Sequence, residues 1–185
     1  MYYIKLKDNF LTTDKITYRE ETKFYGVREP GNTHVGFRYN HIDVENSENY
    51  FSVVPERFRS DFTLLSLHII LNRAKAPPPH IDAGVLCCIN FYVRADTIKT
   101  QFYSRKQSST AIPWNNIVGL TFNLDDLIEA GAFNAADGDV YLLDTSTPHS
   151  VTALNGSADR LVLSLQTHTL RFAEVKEMLQ ETNSI

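Results

Sequence analysis

Apolar residues in this chain fall mostly into short runs and alternations, with helical spacing only near the end. Phe62–Leu71 (FTLLSLHIIL) is apolar on both parities and rich in strand formers, which predicts a strand inside a sheet. Leu86–Val93 (LCCINFYV) predicts a second strand, with Asn90 and Tyr92 on one face and Phe91 on the other. Lys99–Ser104 alternates and is expected to return as its hairpin partner across Arg94-Ala95-Asp96. Tyr2–Leu6 fits an edge strand, and Val118–Phe122 and Val140–Leu143 fit short strands. Ser150–Leu154 and Arg160–Thr167 are expected to pair across a tight turn at Asn155-Gly156-Ser157. Leu124–Ala130 is expected to form a helical turn closed by Gly131. Arg171–Glu181 places apolar residues at 172, 175, 178 and 179, the spacing of an amphipathic helix packed on the outside of a sheet.

Many short strands at close spacing with one clear helix predict a mainly β fold, a β-sandwich or jelly roll. Residues 1–60 are the least legible. They hold a strong turn signal at Glu29-Pro30-Gly31-Asn32 and a polar loop at Asn46–Asn49. The chain of 185 residues shows no repeat, low-complexity tract or linker. It therefore reads as a single domain, with a core over about 62–168 and an N-terminal extension over 1–61 packed on it.

Composition removes some functions. The net charge of −4 with no long basic run argues against a nucleic-acid partner. No apolar stretch approaches the roughly 18 residues of a membrane span. The N-terminus lacks the apolar region of a signal peptide, so a cytoplasmic protein is expected. The adjacent Cys87 and Cys88 would point to opposite faces of a strand and do not bridge.

The chemistry gathers around Pro77-Pro78-Pro79-His80-Ile81-Asp82. The prolines cannot sit in a central strand or helix interior and read as a stiff extended connector. Residues two apart on a strand point the same way, so His80 and Asp82 can reach one ion. His149 offers a third ligand. Two histidines and a carboxylate that leave open positions are the ligand set of non-haem Fe(II) oxygenases. If Asn155-Gly156 makes a two-residue turn, His149, Val151, Arg160, Val162 and Ser164 share one face. His34, His41, His68 and His168 lack an acidic partner at ligand spacing and read as structural or exposed. Arg105, Lys106 and Trp114 belong to a polar loop over 105–117.

The order His80-x-Asp82…His149…Arg160 on a strand-rich frame resembles the 2-oxoglutarate and Fe(II)-dependent dioxygenase superfamily. The segment Asp137-Gly138-Asp139-Val140-Tyr141 before Pro148-His149-Ser150-Val151 is similar to the approach to the distal histidine in several members. The resemblance implies a double-stranded β-helix, with iron on His80, Asp82 and His149. It implies that Arg160 binds the far carboxylate of 2-oxoglutarate, and that Ser164, four residues on, shares it as in the prolyl-hydroxylase branch. It also nominates Tyr103 and Asn90 as contacts of 2-oxoglutarate. The expected activity is hydroxylation of a small-molecule or peptide substrate, with 2-oxoglutarate decarboxylated to succinate. Subfamily, substrate and oligomeric state are not specified. The alternative is a cupin-like metal-binding jelly roll of another class, an isomerase, hydrolase or non-catalytic binding module, which has no need of a guanidinium at 160.

Overall fold

Strand-forming segments sort into two antiparallel sheets that face each other. The computed structural model of the chain describes residues 1–7, 16–27, 35–44, 47–71, 78–95, 97–107, 109–113, 119–154 and 158–185, with the backbone alone over 16–27, 35–44, 47 and 66–71. The first sheet has seven strands in the order β1 (Tyr3–Lys5), β11 (Val140–Leu143), β6 (Cys87–Arg94), β13 (Ala158–Thr167), β4 (Phe62–Leu71), β3 (Val35–Val44) and β2 (Ile16–Val27). The second has six, in the order β10 (Leu127–Asn134), β7 (Ile98–Arg105), β12 (His149–Ala153), β5 (His80–Asp82), β9 (Gly119–Phe122) and β8 (Ala111–Pro113). From β4 onward the chain alternates between them: β4 and β6 in the first, β5 and β7 in the second, then β8 to β10, and again β11, β12 and β13 in turn. This winding is a double-stranded β-helix, the jelly roll that the strand spacing predicts. One helix, α1 (Phe172–Glu181), follows β13. None of the described helices is long and apolar enough to cross a membrane.

Strand alternation explains the two layers of core. On the outer face of the first sheet Ile89, Phe91, Leu161, Leu163 and Leu165 pack with Val140 and Leu142 against Val175, Met178 and Leu179 of α1. On its inner face Cys88, Tyr92, Tyr141, Leu143 and Val162 meet Phe102 and Phe133 of the second sheet. Both faces are covered by packed side chains, which accounts for near-continuous apolar runs such as CCINFYV. Cys87 and Cys88 fall into different layers, each unbridged. β1 forms one edge of the first sheet, and β3 extends it beyond β4.

Three local expectations fail. β6 and β7 are not a hairpin: β6 pairs with β11 and β13, whereas β7 pairs with β10 and β12 in the other sheet. β12 and β13 are likewise in different sheets, so the shared-face register across 155–157 does not exist. In both places the chain uses a short connection to cross the sandwich rather than to reverse within one sheet. Leu124–Ala130 is a 3-10 turn at Leu124–Asp126 followed by β10, not a helical turn ending at Gly131. The strand shifts register between Glu129 and Gly131, which lets Leu127 face outward while Phe133 faces the core. The loop over 105–117 includes β8. The turns at 29–32 and 155–157, together with His34 and Trp114, lie outside the described residues. The side chains of His41 and His68 do too.

Candidate metal centre

His80 and His149 are direct cross-strand neighbours on β5 and β12. Their rings lie 4.6 Å apart, tilted by 50°. Asp82, one pleat on from His80, faces the same point: its Oδ1 is 3.6 Å from His80 Nε2 and its Oδ2 3.8 Å from His149 Nε2. One ligand atom from each residue lies within 4.8 Å of the other two. These separations are too long for hydrogen bonds. Cis ligands about 2.1 Å from a common ion stand about 3 Å apart, so the three groups need to draw in by about an ångström to share one.

The far side of each ring is tied to the backbone. His80 Nδ1 lies 2.9 Å from the carbonyl oxygen of Pro78, and His149 Nδ1 lies 3.0 Å from that of Thr147. Each Nδ1–H donates to its carbonyl, which leaves the Nε2 lone pair aimed at the shared point, the tautomer a metal requires. Burial, then the nearby His149, lowers the pKa of His80 to about 4, against opposing contributions from Asp82 and the Pro78 carbonyl. His80 is therefore neutral near pH 7, the form that could coordinate a metal. Both rings are nearly buried, while the Asp82 side chain remains 35% exposed and marks the open side.

The opposite wall belongs to the first sheet. Arg160, only 3% exposed, reaches from β13 across the sandwich to β7, where Nη1 donates to Thr100 Oγ1 at 3.2 Å and Nη2 to the Ile98 carbonyl at 3.0 Å. Its guanidinium carbon stands 5.1 Å from the centre of the Tyr92 ring. No carboxylate among the described residues pairs with it. Burial lowers its pKa and pushes that of Tyr92 up, each offset by the other. Among the described residues, three buried polar atoms lack a well-formed hydrogen bond: Arg160 Nε, Tyr92 Oη and Asn90 Oδ1. All three belong to residues on the inward parity of β6 and β13. Thr100 lies two residues along β7 from Phe102, which pairs with His149. The guanidinium is thus offset from the distal histidine by roughly 6–7 Å of strand rise, a length that a five-carbon dicarboxylate spans.

Of the residues nominated by sequence, His80, Asp82 and His149 come together, and Arg160 and Asn90 face the same interior. Ser164 is buried opposite Asn90, beside the Cys88 thiol, two pleats from Arg160. Tyr103 is not brought to the centre. It projects from the outside of the second sheet, where its hydroxyl lies 3.0 Å from Ser150 Oγ. There it lines a separate groove of about 630 Å³ with Pro79, Gln101, Phe122 and Leu127. Parity is the reason: Phe102, its ring 5.8 Å from that of His149 and tilted by 33°, takes the inward position on β7. Arg105 binds Ser109, Lys106 binds the Asp125 carbonyl and His168 binds the Gly84 carbonyl, all outside the site. Sequence reasoning counted Tyr92, on the Asn90 face, and Thr100 only as weaker pocket candidates and preferred Tyr103 to both; the structure places these two against Arg160 instead. Sequence reasoning missed that the carbonyl restraining each histidine comes from the residue two places before it.

No family model matches the chain, and no curated protein matches it. Among solved structures, it is similar to the Fe(II) enzyme HppE with the alternative substrate (S)-1-HPP, at 14% identity and a TM-score of 0.39, over 86% of this chain and 63% of that one. It is similar to E. coli ycfD at 12% identity and a TM-score of 0.44, over 88% of this chain and 43% of that one. Hydroxypropylphosphonic acid epoxidase from S. wedmorenis matches at 12% identity and a TM-score of 0.34, over 80% of this chain. The chain spans 56% of that epoxidase, and less than two thirds of each of these proteins. The likeness is slight, and the chemistry rests on the side chains themselves.

Proposed function

We propose that this chain is an Fe(II)- and 2-oxoglutarate-dependent oxygenase that hydroxylates a small molecule or a peptide. The observation that carries the reading is the pairing of a converging His80–Asp82–His149 set with a buried, acid-free guanidinium on the facing wall. The donor set suits a divalent first-row ion and leaves positions free for other ligands. When bound, Fe(II) would couple reduction of dioxygen to decarboxylation of 2-oxoglutarate, yielding succinate, CO₂ and an oxygenated product.

The chain's own residues bind, orient and exclude water. The Pro78 and Thr147 carbonyls fix the tautomer of both imidazoles and keep Nε2 pointed inward. Arg160 supplies the counter-charge for the far carboxylate, which otherwise costs several kcal/mol to bury. Its planar fork is steadied by Thr100, by the Ile98 carbonyl and by the Tyr92 ring. Nε of Arg160 and the Tyr92 hydroxyl are donors that a carboxylate satisfies. Phe102, Val162 and Leu143 keep the surroundings dry. A cupin-like isomerase or binding module gains nothing from that cation. The proposed setting is the cytosol, where Cys87 and Cys88 stay as thiols.

The test is succinate release by the full chain with Fe(II), 2-oxoglutarate and oxygen, first alone and then with pooled metabolites and peptides. Slow succinate formation that a chelator abolishes, and that one pool accelerates, is expected. A chain that binds Fe(II) yet never consumes 2-oxoglutarate sinks the reading.

A further inference from the structure

Asp144 lies in the turn between β11 and β12 and has no part in the ligand set. Its Oδ1 accepts from the Ser146 backbone N–H at 3.2 Å and from Ser146 Oγ at 2.5 Å, and its Oδ2 accepts from Thr147 Oγ1 at 3.1 Å. Its own backbone N–H donates to the Tyr2 carbonyl at 2.9 Å, and the Thr147 N–H returns to the Asp144 carbonyl at 3.3 Å. Thr147 is therefore held at both its backbone and its side chain. Its carbonyl is the one that accepts from His149 Nδ1. Next to it, the buried Thr145 hydroxyl donates to the Val85 carbonyl at 3.1 Å. Val85 stands three residues beyond Asp82, on the segment that leaves β5.

We propose that the 144–147 turn, gathered by the Asp144 carboxylate, is a clasp that positions two ligands at once. It sets the ring and tautomer of His149 through Thr147, and it anchors the segment behind Asp82 through Thr145. The inference rests on the metal reading above. The contrast with His80 supports it. There the restraining carbonyl belongs to Pro78, whose φ is locked by its ring and whose ψ is restricted by Pro79. Thr147 shares the restriction of ψ, because Pro148 follows it, but no ring locks its φ, and a three-fold accepting carboxylate supplies the missing restraint. Asp144 is a positioning residue: it acts through Thr147 and touches no ligand.

The probe is Co(II) alone, added to the full chain, read as affinity and as the visible absorption spectrum of the bound ion. Asp144→Ala is expected to weaken Co(II) binding about 10- to 100-fold, the usual effect of removing a group that orients a ligand, and to change the spectrum. Asp144→Asn keeps one acceptor for Ser146 and restores much of both. Thr145→Val, which keeps the shape and loses the hydroxyl, weakens binding without moving the spectrum as far. Val175→Ala, in α1 on the far side of the first sheet, serves as a control that lowers stability away from the site. Wild-type affinity and spectrum in Asp144→Ala overturn the clasp. So does an equal affinity loss in Val175→Ala, because metal binding then follows stability alone. If Asp144→Ala does not fold, Thr145→Val decides, and unchanged Co(II) binding in that variant refutes the clasp. A wild-type chain that takes up no Co(II) defeats the metal reading, and the clasp falls with it.

Discussion

Replacing Arg160 by Met separates a residue kept for binding from one kept for folding. Arg160 is 3% exposed, faces no carboxylate among the described residues and has one nitrogen, Nε, without an acceptor. An unpaired buried charge costs the folded state several kcal/mol. Met is similar in length and removes that cost, but it strands Thr100 Oγ1 and one lone pair of the Ile98 carbonyl, at about 1 kcal/mol each. The metal-free variant should therefore be as stable as wild type or more so, by about 1–3 kcal/mol. At about 2–4 °C per kcal/mol for a chain of this size, the melting temperature should hold or rise by several degrees. Binding should move the opposite way. Losing a charge-assisted contact to a buried carboxylate costs about 3 kcal/mol, roughly a hundredfold in Kd. The assay is thermal unfolding of the Mn(II)-loaded protein with and without 2-oxoglutarate. At a hundred times the wild-type Kd the ligand stabilises wild type by about 2.7 kcal/mol, and in the variant the shift falls to about 0.4 kcal/mol, near the limit of detection. A variant that keeps the full ligand shift, or that loses more than about 3 kcal/mol without ligand, refutes the assignment.

Asp82→Ala leaves two imidazoles without their anionic partner and should reduce Fe(II)-dependent succinate release to background while weak metal binding persists; full activity in this variant excludes Asp82 from the ligand set. The metal-free chain should lose stability on acidification, because His80 has a folded pKa of about 4 against an unfolded value of 6.5. The unfolded chain binds the extra proton, so the His80 contribution is complete above pH 6.5 and is lost as pH falls toward 4, up to about 3 kcal/mol in total. Denaturant unfolding with chelator present reads this slope, and an unchanged slope in His80→Gln rules out His80 as its source. Gly119 pairs with Asp82, and a Cβ added to it would sit 2.8 Å from the Ile81 carbonyl oxygen. Gly119→Ala should therefore push β9 off β5 at a cost of about 1–3 kcal/mol and weaken Co(II) binding; wild-type melting and affinity would show that the strands yield without cost.

What could be read from the chain was local, and what could not was the pairing. β4 falls on Phe62–Leu71 as expected, and β11, β13 and α1 lie within a residue or two of their expected spans, because burial on both faces or helical spacing marks each in its own residues. The His80-x-Asp82 placement needed only the two-residue strand period. Hairpin logic failed at 94–97 and 154–157 because it assumes that a turn returns the chain to the same sheet, whereas a jelly roll spends such turns on crossing. His149 therefore reaches the site through β5 and β7, not through β13. Arg160 still faces the interior because inward parity on β13 aims it at the opposite sheet. Tyr103 was misplaced because its neighbour Phe102 holds the inward parity. Leu124–Asp126 starts with a side-chain cap from Asn123, which mimics a helix start, but register with β7 takes over from Leu127.

The division of labour between the sheets follows from what each strand can offer. The converging ligands come from β5 and β12, adjacent strands whose spacing is fixed by backbone hydrogen bonds, as a metal requires. The cation comes from β13 in the facing sheet, on a long side chain that spans the sandwich and binds β7 only through Thr100 and a carbonyl. A ligand that touches both must lie between the sheets with an anionic end at Arg160 and a chelating end at His80, Asp82 and His149. The same burial that makes the guanidinium costly when alone makes it selective for a charged terminus, because a neutral group there leaves the charge unmatched. A 2-oxo acid that lacks the second carboxylate should therefore bind the metal-loaded chain about a hundredfold more weakly than 2-oxoglutarate. Arg160→Met should erase that preference, and equal affinity of wild type for the two acids would place the anion elsewhere.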